Sequence, residues 1–217
     1  MSFLNILEHL AFGLGHTLLV TFVCSVTALV AGFAITCARQ LGGRRIAWAL
    51  DIFTYVFRGV PVLVMLFMVY FGLPSIGLRV SPLVAMALSL GLISAAYLSE
   101  VFRGALQAVS VSEILAAQAS GMTRLQIFLY IEAPQMLRFA VPGMINEFTS
   151  ILKYSPFAYT VGIPEMTKQA MNLTATTLQG IEVYLAVGIL YFLIYWILIR
   201  CVRLIEKYYR VPGIGVA

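Results

Sequence analysis

The sequence predicts an all-α membrane protein, and three observations carry that prediction. Of the 217 residues, 61% are hydrophobic and only 11% are charged, whereas a soluble domain has about 25% charged residues. Five long apolar segments recur along the chain, and each approaches the roughly 20 residues that a helix needs to cross a bilayer. One polar interval, Glu100 to Arg138, interrupts them. We therefore expect five transmembrane helices in a single domain, 1–217, with a structured elbow between helices 3 and 4.

The five predicted spans are charge-poor segments bounded by charged or turn-forming residues. The second is separated from the third by the turn formers Pro74, Gly77 and Pro82. The fourth is interrupted by Glu147 and Lys153. The spans are Leu10–Ala38, Gly59–Leu78, Val80–Ser99, Phe139–Gly162 and Val183–Ile199.

The distribution of lysine and arginine predicts the orientation, because cytoplasmic loops are enriched in these residues. With the N-terminus outside, the outer segments contain only Arg79 and Lys168. The elbow and the C-terminus are then cytoplasmic. The inner segments contain eleven basic residues: Arg39, Arg44, Arg45, Arg58, Arg103, Arg124, Arg138, Arg200, Arg203, Lys207 and Arg210.

Two helix-start signals predict that the elbow is helical. Ser110 and Glu113 have the spacing of a capping box, and Thr123 and Gln126 repeat it. Gly121 lies between them, where a helix C-terminus often requires a positive φ. We expect two short helices at an angle, Val111–Ser120 and Arg124–Ala133. An amphipathic helix on lipid is disfavoured because a strongly basic face is missing.

The polar residues of the fourth span are candidates for a translocation path, because ionisable groups at membrane depth usually face a cavity or a partner. A spacing of seven puts Glu147 and Tyr154 on one helix face with Ser150, whereas Lys153 is rotated away and could align with Asn146. The alternative is structural: Lys153 snorkels outward, and Glu147 pairs with an arginine of a neighbouring helix.

Several classes of function have no support in the sequence. The scattered basic residues follow topology and do not indicate nucleic-acid binding. Cys24, Cys37 and Cys201 lie in or beside apolar runs without metal-ligand spacing, so neither a disulfide framework nor a metal site is expected. Walker phosphate-loop, Gly-x-Ser-x-Gly and His-Glu-x-x-His strings do not occur, so neither ATP binding of that kind nor the obvious hydrolases are predicted.

A short repeat marks one predicted membrane interface. The strings Val56-Phe57-Arg58-Gly59 and Val101-Phe102-Arg103-Gly104 both fall on the cytoplasmic side. Their arginines could snorkel to lipid headgroups or have a specific role, and these alternatives stay open. Pro61 follows Gly59, where proline is tolerated in a first helical turn.

At this point the chain resembles the transmembrane subunits of polar amino-acid ABC importers over roughly residues 10–205. Residues 57–64, 70–74 and 95–104 are similar to successive family blocks, and residues 113–134 are similar to the family's EAA loop. The resemblance implies a membrane-interface motif at Arg58, Gly59, Pro61, Glu100, Arg103 and Gly104. It also implies ATPase coupling through Ala116, Ala117, Gly121, Met122, Ile131 and Pro134.

The chain departs from the family pattern at three positions. Leu115 replaces the Glu of the Glu-Ala-Ala triplet, with Glu113 two residues earlier, and Ala133 replaces a Leu. Tyr154 occupies a position after Lys153 where family members often have an acid. The lost acid slightly disfavours cationic substrates such as arginine or lysine.

The resemblance implies a permease subunit of a prokaryotic plasma-membrane importer and not an enzyme. A second such subunit, identical or paralogous, would complete the translocation path in the lipid bilayer. A cytoplasmic ABC ATPase dimer would bind ATP and Mg²⁺, so that no cofactor is expected in this chain, and an extracytoplasmic binding protein would deliver a polar amino acid. The alternative is a self-contained channel or ion-coupled carrier, which would keep Glu147 and Lys153 as a relay but has no need of the elbow.

Overall fold

Every regular element of the described chain is a helix, so the all-α class that the sequence predicts is confirmed. The computed structural model describes residues 3–209 and the side chains of residues 3–201. Arg210 lies outside the described residues, as do the side chains of Arg203 and Lys207. The first helix, α1, runs Phe3–Leu41 and includes the whole first predicted span.

The second predicted span is bent at its start. Helix α2 runs Arg44–Gly59, helix α3 starts at Val62, and the two helical segments meet at 104°. Pro61 disfavours a helical conformation in the residue before it, and Val60 is accordingly extended with φ −92° and ψ 129°. The helical part of this segment therefore begins at Val62 instead of Gly59. It continues from α3 (Val62–Phe67) through a π turn (Met68–Gly72) into a 3₁₀ turn (Leu73–Ile76).

Helix α2 was not predicted, because its basic residues were interpreted as part of a loop. Its apolar side chains Trp48, Ile52 and Tyr55 are exposed and recur at helical spacing. Asp51 and Arg58 lie on another side and point toward charged residues of α1 and the third span. This amphipathic pattern is the signal that could have identified the helix.

The third predicted span extends to Gln107, eight residues beyond the predicted end at Ser99. It consists of α4 (Pro82–Met86), a π turn (Ala87–Gly91) and α5 (Leu92–Gln107). The helix can continue through Glu100 and Arg103 because these side chains lie one turn apart and form an ion pair at 2.7 Å.

The first elbow helix, α6, runs Val111–Ala119, close to its predicted bounds. The predicted capping box at its start is wrong. The Ser110 hydroxyl pairs at 2.7 Å with the hydroxyl of Ser112, and the Glu113 carboxylate accepts a hydrogen bond from Gln135 at 2.6 Å. Both side chains therefore have other partners than the backbone of the first turn.

The second elbow helix begins at the predicted residue but continues beyond its predicted end at Ala133. The capping box of Thr123 and Gln126 is confirmed at the start of α7 (Arg124–Ile127). A π turn, Phe128–Glu132, then joins α7 to α8 (Ala133–Tyr154), which replaces the predicted break before the fourth span. Pro134 lacks an N–H and would clash with a regular α-helical turn, and the wider π turn directly before it accommodates the ring.

After α8, the described part of the chain contains a helix, α9 (Met166–Thr177), that was not predicted. A 3₁₀ segment, Ser155–Val161, follows α8 and ends at Gly162, where φ is +92°. Helix α10, after α9, spans Gly180–Tyr209, which contains the fifth predicted span.

Helices α1, α5 and α8 pack together around the core. Close approach needs small residues: a Cβ on Gly32 of α1 would lie 3.0 Å from the Ala95 carbonyl oxygen of α5, and one on Gly143 of α8 would lie 2.5 Å from Val101. Between them lie fully buried side chains that include Leu66, Leu90, Leu98, Phe102 and Met136.

A buried carboxylate anchors α9 to the rest of the bundle. Glu165 is fully buried and accepts hydrogen bonds at 2.8 Å from the backbone N–H groups of Thr167 and Lys168 and at 3.0 Å from the Tyr191 hydroxyl. Gly13 of α1 lies directly against this turn, where a Cβ would meet the Met166 backbone at 2.6 Å. The segment that follows α8 is thereby fixed to both α1 and α10.

By length and composition, three described helices can cross a membrane: Phe3–Leu41, Pro82–Gln107 and Gly180–Cys201. The bent pair Arg44–Gly59 and Val62–Ile76 makes four if it counts as one span. Helix α8 contains Arg138, Glu147 and Lys153 and is less apolar. The molecule is thus an all-helical membrane protein with several apolar helices, and the count of five spans stays a prediction.

Candidate functional site

A cavity of about 630 Å³ lies where the bent α2–α3 segment meets α5 and α8. One wall is the backbone around Pro61, which the proline break leaves outside any helix. Another wall carries polar side chains of α8. The remaining lining combines apolar and polar side chains of the third span and the 3₁₀ segment, among them Leu90, Ile93, Ser94, Tyr97 and Phe157.

Four of the five predicted path residues line this cavity. Asn146, Glu147, Ser150 and Tyr154 all contribute to its wall. The helix face predicted from spacing contains Glu147, Ser150 and Tyr154, whereas spacing aligns Asn146 with Lys153. Glu147 forms no ion pair with another described residue, and its side chain lies beside Ser94 of α5, which also lines the cavity. The predicted structural alternative, an arginine partner from a neighbouring helix, is therefore not observed among residues 3–201.

Lys153 lies elsewhere. Its ammonium group is positioned 5.2 Å from the centroid of the Tyr195 ring of α10, in a cation–π arrangement. Its side chain is exposed and is not part of the cavity wall. Lys153 is thus directed toward α10 and away from the cavity that Glu147 lines.

The cation that does line the cavity is Arg58, together with its neighbours Gly59 and Pro61. Its guanidinium carbon lies 5.0 Å from the centroid of the Tyr97 ring, and the Tyr97 hydroxyl donates a 3.4 Å hydrogen bond to the Arg58 carbonyl. Tyr97 thus restrains both the side chain and the backbone of Arg58. Sequence analysis missed Tyr97, although it precedes Glu100 by one helical turn.

Beside the cavity, one carboxylate gathers three arginines. Glu100 lies 2.9 Å from Arg39, 2.7 Å from Arg103 and 4.0 Å from Arg58. Arg39 also contacts Asp51 at 2.7 Å. The predicted motif residues Arg58, Glu100 and Arg103 therefore belong to one ion-pair cluster, which Arg39 and Asp51 complete. We call these five residues the arginine cluster.

The elbow owes its shape to a glycine turn after α6. Gly121 has φ +78°, which confirms the predicted positive φ. The Met122 N–H donates to the Ala117 carbonyl at 3.1 Å and the Gly121 N–H to the Gln118 carbonyl at 3.0 Å, which is the Schellman pattern. The turn therefore satisfies the carbonyl groups at the end of α6 and sets the angle to α7.

The elbow is tied to α8 by side chains and exposes an apolar surface. Besides the contact of Gln135 with Glu113, Arg124 lies 2.7 Å from the buried Glu132 carboxylate. Of the predicted coupling residues, Ala117 is buried, Met122 and Ile131 are half-buried, and Ala116, Gly121 and Pro134 are exposed. Neighbouring apolar side chains are also exposed: Val111, Leu115, Leu125, Leu129 and Tyr130.

Metal chemistry finds no support in the described part of the chain, where no three His, Cys, Asp or Glu side chains come together.

Gly59 and Gly104 are exposed, and a Cβ on either would meet no atom within 4 Å. Close packing within the chain does not explain these two glycines.

A cavity with several polar side chains beside a broken helix in an apolar bundle is typical of a membrane transport protein. Residues 28–211 match the family model of the binding-protein-dependent transport system inner membrane component. The chain belongs to this family and is a permease subunit of an amino-acid ABC importer.

Relatives of the chain agree with this assignment. The probable amino-acid ABC transporter permease protein YckA of Bacillus subtilis is 32% identical over 91% of this chain and 87% of its own length. The arginine transport system permease protein ArtQ of the same organism is 29% identical over 90% of each chain. A crystal structure of an amino acid ABC transporter with histidines superposes with a TM-score of 0.86 at 27% identity, covering 96% of this chain and 99% of that chain.

Family membership has three direct consequences. The chain is a multi-pass protein of the bacterial plasma membrane. It is a non-catalytic transport component. It works within an ABC complex that contains ATPase subunits.

Proposed function

We propose that this chain and a second permease subunit, identical or paralogous, together enclose the path of a polar amino acid through the bilayer. The observation that carries this proposal is that the cavity opens at the side of the single chain. Its lining residues Arg58, Gly59, Tyr97, Asn146 and Tyr154 are exposed in the isolated subunit. A second subunit against this face would close the cavity and would also explain the uncovered Gly59.

Coupling to ATP hydrolysis would run through the elbow. An ATPase cleft needs a surface of small and apolar side chains at a fixed angle, and the exposed Ala116, Leu115 and Leu125 beside Gly121 provide one. The contact of Glu113 with Gln135 of α8 would carry movement of the elbow into α8, which lines the cavity. The contact of Arg124 with Glu132 would do so through the π turn directly before α8. A cytoplasmic ATPase dimer would bind ATP and Mg²⁺, and an external binding protein would deliver the substrate.

The proposed topology has five spans in one domain, with the N-terminus outside and the elbow and C-terminus inside. The bent pair is the second span and α8 is the fourth. Charges within α8 are compatible with a span because Glu147 faces the cavity and Lys153 stacks on Tyr195. Arg138 would lie at the inner interface beside the elbow.

The first test is isolation of the complex from native membranes. An affinity-tagged chain extracted in mild detergent is expected to bring down an ATPase with a Walker phosphate loop. In proteoliposomes with the binding protein, the complex is expected to take up amino acid with ATP inside but not with ADP, which is the matched control. Uptake by the purified chain alone, without ATPase, would instead establish the channel or carrier alternative.

Cysteine accessibility tests the topology. In a chain whose native cysteines are replaced by serine, Arg45→Cys and Met122→Cys are expected to react with a membrane-impermeant maleimide only after the membrane is opened. Arg79→Cys and Asn172→Cys are expected to react in intact cells. All four positions are exposed or half-exposed in the isolated chain. Reaction of Arg45→Cys and Met122→Cys after the membrane is opened is the control for burial by a partner subunit. Labelling of Met122→Cys in intact cells would contradict the orientation and the coupling proposal together.

A further inference from the structure

Arg58 carries a charge that the fold leaves available to a ligand. Glu100, its acidic neighbour, has both oxygens engaged by other groups: Oε1 accepts from Arg39 at 2.9 Å, and Oε2 accepts from Nε and Nη2 of Arg103 at 2.9 and 2.7 Å. Arg58 lies 4.0 Å from that carboxylate, beyond hydrogen-bonding distance. The Arg58 guanidinium contacts the Tyr97 ring in a cation–π arrangement. This contact uses none of the guanidinium N–H donors.

The charge balance of the arginine cluster points the same way. Three guanidinium groups face the two carboxylates of Asp51 and Glu100. One positive charge is therefore left over, and it belongs to the arginine that lines the cavity. An anion entering the cavity would find five N–H donors in a planar fork that suits a carboxylate.

The Glu147 carboxylate and the Arg58 guanidinium line the same cavity, next to two α5 residues that are about one helical turn apart. On α5, Ser94 lies beside Glu147, and the Tyr97 ring lies against the Arg58 guanidinium. Because Ser94 and Tyr97 are three residues apart on α5, their Cβ atoms lie about 5–6 Å from each other. The two opposite charges of the cavity are therefore close but form no ion pair with each other. The ammonium and carboxylate groups of an α-amino acid fit between such a pair.

We propose that the cavity binds a zwitterionic amino acid with an uncharged side chain, with its ammonium group at Glu147 and its carboxylate at Arg58. The proposal rests on the proposed function and specifies its substrate class. With both cavity charges used by the α-groups, the side chain meets only uncharged wall residues, including Leu90, Ile93, Tyr154 and Phe157. A charged side chain would have to lose its hydration without a partner, which is costly. The basic residue that binds the substrate carboxylate is thus Arg58, whereas Lys153 lies outside the cavity.

The test measures ligand binding by the purified permease–ATPase complex in detergent, without the binding protein, so that the permease alone selects. The probes are L-glutamine, L-leucine, L-lysine and L-glutamate, titrated by calorimetry. We expect one of the two neutral amino acids to bind tightest. Its carboxamide and N-acetyl forms, which lack the carboxylate and the ammonium charge, are expected to bind more weakly.

Arg58→Gln and Glu147→Gln separate the two contacts. Loss of a charge-assisted hydrogen-bonded contact is expected to weaken binding of the free amino acid about tenfold or more. Arg58→Gln should leave the affinity for the carboxamide unchanged, and Glu147→Gln should leave that for the N-acetyl form unchanged. Arg58→Lys should restore part of the affinity. Arg200→Gln is the matched control, since Arg200 stacks on Trp196 at 4.9 Å in the same way but lies outside the cavity.

The outcomes separate this inference from the proposed function. If the complex carries out ATP-driven uptake but Arg58→Gln binds the free amino acid with unchanged affinity, the inference is wrong and the function stands. Tightest binding of L-lysine or L-glutamate, or no binding of any probe, also overturns the inference. Failure of the chain to associate with an ATPase refutes the proposed function itself.

Discussion

Gly121→Val is expected to abolish transport while leaving the amount of protein in the membrane unchanged. At φ +78° a β-branched side chain crowds the backbone, and left-handed geometry costs an L-residue roughly 1–2 kcal/mol. The turn would relax toward negative φ, both Schellman hydrogen bonds would break, and the angle between α6 and α7 would change. Because no predicted span changes, insertion should be normal. ATP-driven uptake and stimulation of the ATPase by substrate are the measurements.

Two matched variants separate the backbone effect from added bulk. A Cβ on Gly121 would meet no atom within 4 Å, so steric contact within the chain does not contribute. Gly121→Asn should keep most of the uptake, because asparagine tolerates the left-handed region. Gly43→Val places the same side chain on an exposed glycine with φ −72° and open space, and it should transport normally. Normal ATPase stimulation by Gly121→Val would show that coupling does not depend on this turn.

Hydrophobic segments and capping signals predict the helices of this chain better than their ends. Apolar length identifies α1, the third span and α10, because a lipid-facing helix must be apolar over its whole length. The end of the third span is missed because Glu100 and Arg103 look like loop residues until their pairing is known. Helix α2 is missed for a related reason: many of its residues are charged, and Glu100, the carboxylate near Arg58, lies far away in sequence.

The candidate site could be predicted on one helix but not across helices. A spacing of three or four residues brings Asn146, Glu147, Ser150 and Tyr154 together, since one helix face is a local property. The cation opposite Glu147 depends on the 104° bend at Pro61. That bend brings Arg58 beside Tyr97, which the sequence alone does not reveal. The sequence indicated Lys153 as a cation of the path, whereas the cation that lines the cavity in the structure is Arg58.

Glu100→Gln is expected to cause the largest loss of stability of any single change in the arginine cluster. The Glu100 carboxylate accepts hydrogen bonds from Arg39 and Arg103. A glutamine amide would place its own N–H groups against the N–H groups of these arginines. Only Asp51 would remain to balance three guanidinium groups. Removing one partner of a buried ion pair costs about 3–5 kcal/mol, and we expect the lower end of that range because 21% of the Glu100 side chain is exposed. The measurement is the thermal unfolding temperature of the purified subunit in detergent.

Variants of the same cluster make this expectation specific. Asp51→Asn also removes one carboxylate, but its side chain is 62% exposed and contacts Arg39 alone, so its effect should be below about 1 kcal/mol. In Glu100→Gln combined with Arg103→Gln, one unbalanced cation is removed, and part of the unfolding temperature should return. This recovery distinguishes charge imbalance from simple loss of packing, since a second truncation would otherwise destabilise further. If Glu100→Gln and Asp51→Asn unfold at the same temperature, Glu100 is not the centre of the cluster, and the free charge assigned to Arg58 loses its basis.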